Sequence, residues 1–179
     1  PSPFGSPPAL GALLAAGALC NDARLAPGPQ PGRWHAIGDP TEGALIVAAA
    51  RFGLDRDTLA EAAPRIAERP FDSDRKRMTT VHVVQRPVPE LASMLDESLG
   101  HIAFTKGAVD CLLRLSTRVL GPDGIEPTDE TWQARIVAAH DEMAARGLRV
   151  LGLACRPLEE TVPDVGRLEE DLVFIGMVG

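Results

Sequence analysis

The chain has 179 residues, 45% apolar and 24% charged, enough for one packed domain and too apolar for disorder. A formal net charge of −7 excludes a general binder of nucleic acid or of anionic membrane, since both need a dominant basic field. Cys20, Cys111 and Cys155 lie far apart without metal-ligand spacing, so they read as buried or free thiols of a reducing compartment, and no apolar run is long enough to span a bilayer.

Residues 1–8 are rich in Pro, Gly and Ser and are expected to be a flexible lead-in, leaving 9–179 as one domain. The first residue is not Met, and the last ones form the apolar run Leu172–Gly179 without a following turn, so a piece of a larger protein is expected. An Ala/Leu-rich helix is predicted over Ala9–Ala23, followed by a Pro/Gly-rich surface loop, Ala26–Arg33. Asp39 as N-cap, Pro40 in the first turn and Glu42 at the positive end of the dipole open a second helix running toward Phe52. A short helix capped by Asp55 follows and ends before Pro64.

The period then changes. Met78–Gln85 and His101–Thr105 read as strands that pair antiparallel, Val109–Leu115 as a short helix, and Asp123-Gly124 as the turn of a small hairpin. Thr128–Arg146 is predicted to be a helix capped by Thr128 and closed by Gly147, with Trp132, Ile136, Val137, His140 and Met143 at helical spacing. Leu148–Cys155 and Leu172–Val178 complete the set as buried strands. The order lacks a regular strand-helix-strand alternation, so the fold class is α+β, a mainly antiparallel sheet flanked by helices.

Neither a GxxxxGK[ST] loop nor GxGxxG is present, no Ser/His/Asp or Cys/His set stands out, and the four histidines are widely separated; no catalytic or metal-binding residues are assigned. Four clusters remain: GDPTEGAL at 38–45, RPFDSDRKRM at 69–78, FTKGA at 104–108 and GLRVLGLA at 147–154, preceded by CNDA at 20–23. Their order and spacing resemble the nucleotide-binding domain of P-type ATPases, in the branch of the calcium pumps and the sodium/potassium pump. The likeness runs from about Leu10 to Gly179.

The resemblance implies a domain that binds ATP, as Mg-ATP in a full-length pump, without hydrolysing it alone. Its partners would be the phosphorylation, actuator and transmembrane domains of the same parent chain, on the cytoplasmic side of a membrane, with no nucleic acid and with the separate domain monomeric. Carried over by position, Phe71 would stack on adenine and Glu42 lie near its amino group. Lys76 would flank base and sugar, Lys106 stand at the pocket floor beside Gly107, whose missing side chain lets the backbone approach the ligand, and Arg149 reach the ribose and phosphates. Two positions depart from the family: Val109-Asp110 follows Lys106-Gly107-Ala108 in place of Pro-Glu, and Ser73 stands where calcium pumps often carry a basic residue. The motifs DKTGT, GDGxND and TGE, which belong to other pump domains, are absent.

The same residues make chemical sense without the family. An aromatic face stacks on any base, a carboxylate accepts from an exocyclic amine, and cations converging on one pocket create a local positive field. Each also has a plainer reading: Phe71 as core, Glu42 as a dipole carboxylate, Lys106 as a solvated strand end, Arg149 as the partner of a carboxylate on the sheet, and Arg75 and Arg77 as parts of a solvated turn, with Arg75→Ala expected to leave binding nearly intact. The alternative function is a non-catalytic interaction or regulatory domain that binds no nucleotide.

Overall fold

Ala and Leu fill Pro8–Leu19 (α1), and a helix apolar on every side must be buried on every side, as this one is from Gly11 onward. It is the central helix of a computed structural model that describes residues 8–30, 34–95, 100–158 and 165–179; the lead-in up to residue 7 lies outside the described residues. The helix stops four residues earlier than Ala23. Asn21 is the reason: its Nδ2 donates to the Gly17 carbonyl (3.1 Å) while its Oδ1 accepts from the Ala23 N–H (2.9 Å), a side-chain turn that replaces the next helical bonds.

The Pro/Gly-rich loop holds more order than its composition suggests. Arg24–Pro27 (β1) and Trp34–Ile37 (β2) pair antiparallel as a two-stranded ribbon, with Pro27 opposite Trp34 at its outer end, where a missing N–H is tolerated. Residues 31–33 between them lie outside the described set. Pro40–Phe52 (α2) begins as the sequence predicts, Asp39 accepting from the N–H groups of Thr41 (2.8 Å) and Glu42 (3.2 Å). Arg56–Ala62 (α3) is capped by Asp55 through Thr58.

The main sheet has seven strands: Arg65–Asp72 (β3), Arg77–Val83 (β4), His101–Gly107 (β5), Ser116–Gly121 (β6), Gly124–Pro127 (β7), Leu151–Leu158 (β8) and Leu172–Val178 (β9). They lie in the order β3-β4-β5-β8-β9-β6-β7, and every neighbouring pair is antiparallel except β6 with β9. This is the expected α+β fold with its mainly antiparallel sheet. Strand alternation sends Phe104, Leu153, Cys155, Val173 and Ile175 to the face covered by α1, and Ala154, Leu172 and Phe174 to the face covered by Val109–Leu115 (α4) and Glu130–Ala145 (α5). The edge strand β3 is new relative to the sequence reading: its charged residues and Pro70 hide the period. No described helix is long and apolar enough to cross a membrane.

At α5 the cap is Asp129, whose Oδ1 accepts from the Trp132 N–H at 2.8 Å, and not Thr128. Thr128 instead gives its N–H to the Thr117 carbonyl, and its hydroxyl is buried with no hydrogen-bond partner among the described residues. The stripe is narrower than predicted, with Ile136 buried and Val137 exposed. Arg149 likewise precedes a strand and is not in one, because β9 ends where Val178 pairs with Leu151.

His82 is sealed between α3 and the sheet. Its Nδ1 lies 2.8 Å from the Ala63 carbonyl oxygen, which can only accept, so that nitrogen carries the proton and Nε2 accepts from the Thr80 hydroxyl at 2.9 Å. Burial pushes its pKa down to about 4, against the pull of the Ala63 hydrogen bond and with help from Arg65 and Arg56.

Two stability measurements follow from these contacts. Below the ordinary histidine pKa of 6.5 the unfolded chain takes up a proton at position 82 that the folded chain refuses until about 4. Urea stability should therefore be full above pH 6.5 and fall by roughly 3 kcal/mol toward pH 4, and His82→Gln should flatten that slope. Asp129→Ala should cost about 1 kcal/mol, about 2–4 °C in Tm, whereas Thr128→Val should leave Tm unchanged or raise it.

Candidate functional site

Where α2 meets the ends of β4, β5 and β8, a cleft of about 460 Å³ opens, lined by Asp39, Thr41, Glu42, Phe71, Lys76, Met78, Lys106, Gly107, Arg149 and Leu151. All six candidate site residues line this one cleft. Register explains the floor: Lys106 on β5 pairs with Met78 on β4 and with Leu153 on β8, so the lysine points to the α1 side among apolar neighbours.

Glu42 answers it across the cleft. Lys106 Nζ donates to Glu42 Oε1 at 2.6 Å, with the two side chains only 7% and 15% exposed. The glutamate is held from behind as well, its Oε2 accepting from the Asp22 N–H at 3.2 Å and its backbone carbonyl from Asn21 Nδ2 at 3.0 Å. The CNDA segment thus anchors the first turn of α2. Each carboxylate oxygen keeps a second lone pair, so Glu42 remains able to accept from a ligand amine.

Phe71 belongs to neither side's core; its ring is 66% exposed at the mouth of the cleft. Ala67 packs on the face of the sheet opposite α1, beside Val81, Ala103 and Leu168, and Arg69 reaches Glu169 on that side. Strict alternation would send Phe71 the same way. A register irregularity between Arg69 and Asp72 intervenes, and such a bulge re-aims the side chain that follows it.

Beyond Phe71 the chain turns tightly, Asp72 accepting from the N–H groups of Asp74 (2.9 Å) and Arg75 (2.8 Å), while the Lys76 N–H closes the turn on the Asp72 carbonyl at 2.7 Å. Those bonds hold the Asp72 carboxyl below its ordinary pKa, the one from Arg75 foremost. Lys76 itself has φ of 54°, the left-handed region that a branchless or amide residue takes more readily. Strain of this kind collects at functional turns.

The charges differ from the sequence expectation in one respect. Three cations line the cleft, yet Lys106 is neutralised by Glu42 and Asp39 stands nearby, so the local positive field is weaker than three cations suggest. Among the described residues neither Lys76 nor Arg149 has an ion-pair partner; Arg149 reaches only the Thr41 hydroxyl, at 3.5 Å. The reading of Gly107 also changes. Its close neighbour is protein: a Cβ there would run into the Lys76 carbonyl oxygen and lie 2.6 Å from the Cβ of Arg77.

Arg75 and Arg77 are no solvated turn. Both donate to Glu169, Arg77 Nε at 2.7 Å, and Arg69 joins them at 3.2 Å, while the Thr79 hydroxyl supplies a fourth bond at 2.9 Å. Burial opposes ionisation of Glu169, but the bonds from Arg75, Thr79 and Arg77 outweigh it and keep its pKa lowered. The acidic run 169–171 offered a hint in sequence, but nothing in its period linked it to residues more than 90 positions earlier. Met78, Thr41 and Leu151 were missed because an apolar or hydroxyl lining carries no motif. Among the described residues no group of three His, Cys, Asp or Glu is arranged to hold a metal.

Gly107→Ala should displace the turn carrying Lys76 at a cost of about 1–3 kcal/mol, read as a lowered Tm with amide shifts centred on Lys76 and Ala108.

Comparison with known proteins agrees with this architecture. Residues 9–179 match the family described as P-type ATPase, cytoplasmic domain N. Calcium-transporting ATPase 1 of Bacillus cereus is 40% identical over 161 residues, which are 90% of this chain and 16% of that protein. Cation-transporting ATPase pma1 of Synechocystis is 34% identical over 177 residues, 98% of this chain and 18% of the relative, and the calcium-transporting ATPase of Bacillus subtilis is 30% identical over 168, 93% and 17%. The chain therefore spans less than a fifth of the length of these relatives. With the resemblance in its sequence clusters, its α+β sheet and a family match over residues 9–179, the chain belongs to the cytoplasmic N domains of P-type ATPases.

Proposed function

We propose that this domain holds ATP by its adenine end in the cleft at α2 and presents the γ-phosphate to a phosphorylation domain elsewhere in a parent cation pump. The observation that carries the proposal is the Phe71 ring, two-thirds exposed at the mouth of the cleft that also contains Glu42 and Lys106. A large apolar ring left in solvent beside polar groups is a ready platform for a base, and stacking contributes about 1–3 kcal/mol whichever face it meets.

Glu42 accepts from the adenine amino group and is kept in place by Lys106 and by the Asp22 N–H. Lys76 and Arg149, the two cations without carboxylate partners among the described residues, serve the sugar and phosphates. Gly107 serves indirectly, by admitting the backbone of the turn that carries Lys76. On this reading the separate domain binds ATP and does not hydrolyse it, because the group that takes the γ-phosphate belongs to another domain. Stacking and a few partly solvated contacts, less the cost of association, amount to a Kd of roughly 1 mM to tens of μM. The parent pump moves a cation, as the names of the relatives state for those proteins.

Titration with ATP and with AMP, followed by amide chemical shifts, tests this. Both should saturate, with shifts at Glu42, Phe71, Lys106 and Gly107, and Phe71→Ala should weaken ATP by about 5- to 150-fold. A flat response at millimolar nucleotide would leave only an interaction domain without nucleotide binding.

A further inference from the structure

We propose that Glu169, which lies outside the cleft, is a positioning residue for it: its carboxylate holds the β3–β4 hairpin in the shape that aims Phe71 and Lys76. The proposal rests on the nucleotide reading above and adds to it the group that sets the geometry of one wall.

Glu169 is 3% exposed and sits just before β9, some 90–100 positions along the chain from its partners. Those partners bracket Phe71. Arg69 precedes it, Arg75 lies in the turn after it, Arg77 opens β4, and Thr79 lies two residues further on. Each oxygen takes two of them: Oε1 accepts from Arg75 and Thr79, both beyond Phe71, while Oε2 joins the two sides by accepting from Arg69 and Arg77. Two of the guanidinium groups pass the restraint on to the backbone, Arg75 donating to the Pro70 carbonyl at 2.7 Å, one residue before Phe71, and Arg77 to the Arg75 carbonyl at 2.9 Å. Thr79 extends it to Thr105, at 3.0 Å, the neighbour of Lys106.

The hairpin needs such a tether. Among the described residues β3 is the outermost strand and has only β4 beside it, and its ladder is broken between Arg69 and Asp72, the stretch that contains Phe71. Neither Glu169 nor any of the three arginines lines the cleft, so their effect on a ligand passes through Phe71 and Lys76. Without the carboxylate, three like charges stay clustered around an empty centre, and their repulsion spreads the two sides of the turn.

The test compares ATP affinity and Tm for the chain and for Glu169→Gln, Glu169→Asp, Phe71→Ala and the double variant Phe71→Ala/Glu169→Gln, by the same chemical-shift titration. Glu169→Gln should remain folded, with dispersed amide signals, and bind ATP about tenfold or more weakly; Glu169→Asp, which keeps the charge, should recover part of the loss. In the Phe71→Ala background the Gln substitution should cost less than in the unaltered chain, since of the two groups it positions only Lys76 remains. A merely structural glutamate would lower Tm and leave the affinity of the folded fraction unchanged, or add in full to Phe71→Ala; either result overturns the proposal. Should Glu169→Gln fail to fold, Arg69→Ala and Arg75→Ala each remove one arm, and both must weaken ATP for the proposal to stand. Absence of saturable ATP binding by the unaltered chain would sink the nucleotide reading itself, a failure distinct from binding that Glu169→Gln leaves intact.

Discussion

The contact between Lys106 and Glu42 ties together the two elements from which the cleft is made. One partner is on a central strand, the other in the first turn of a helix 64 residues earlier, and both are largely withdrawn from water. Burying two charges is costly, and mutual attraction offsets that cost only when the remaining polar positions are also satisfied. Here the backbone of Asp22 takes up the second carboxylate oxygen, and Asn21 fastens the peptide behind it. The arrangement places a negative charge at the positive end of α2, where the helix dipole favours it. A lysine and a glutamate that each looked like an ordinary surface group in sequence are thereby fixed as one unit.

The opposite wall obeys a different logic. Phe71 and Lys76 belong to a bulged hairpin at the rim of the sheet, whose arginines bond Glu169 beside β9. One wall of the cleft is thus built into the core, and the other is held by a polar cluster. Loops and rims of this type open at lower free energy than the strands behind them.

Much of this was legible from local chemistry. Asp39, Pro40 and Glu42 announced α2, Asp55 announced α3, and the alternation of residues 78–85 and 101–105 announced β4, which ends two residues earlier at Val83, and β5, because caps and period-two patterns need only near neighbours. The six candidates at 42, 71, 76, 106, 107 and 149 surround one cavity, a convergence carried by the order of four short clusters. What escaped depends on distant partners. β1 and β2 form in a Pro-rich stretch because they pair with each other, and Asp129 displaces Thr128 as cap because the Thr128 backbone is engaged by Thr117. Arg75 and Arg77 looked solvated because the glutamate they bind stands beside β9. No window along the chain contains both halves of such a contact.

The composition of β3 has a consequence for the solution behaviour of the molecule. It is an open edge of the main sheet, with free peptide groups that could template the addition of a foreign chain. Arg65, Glu68, Arg69 and Pro70 occupy that edge, and the bulge interrupts it before Asp72. Charges, a missing donor and a local kink are the features that discourage intermolecular strand pairing. The strand that carries the exposed phenyl ring thus also carries the features that disfavour pairing with a second sheet edge.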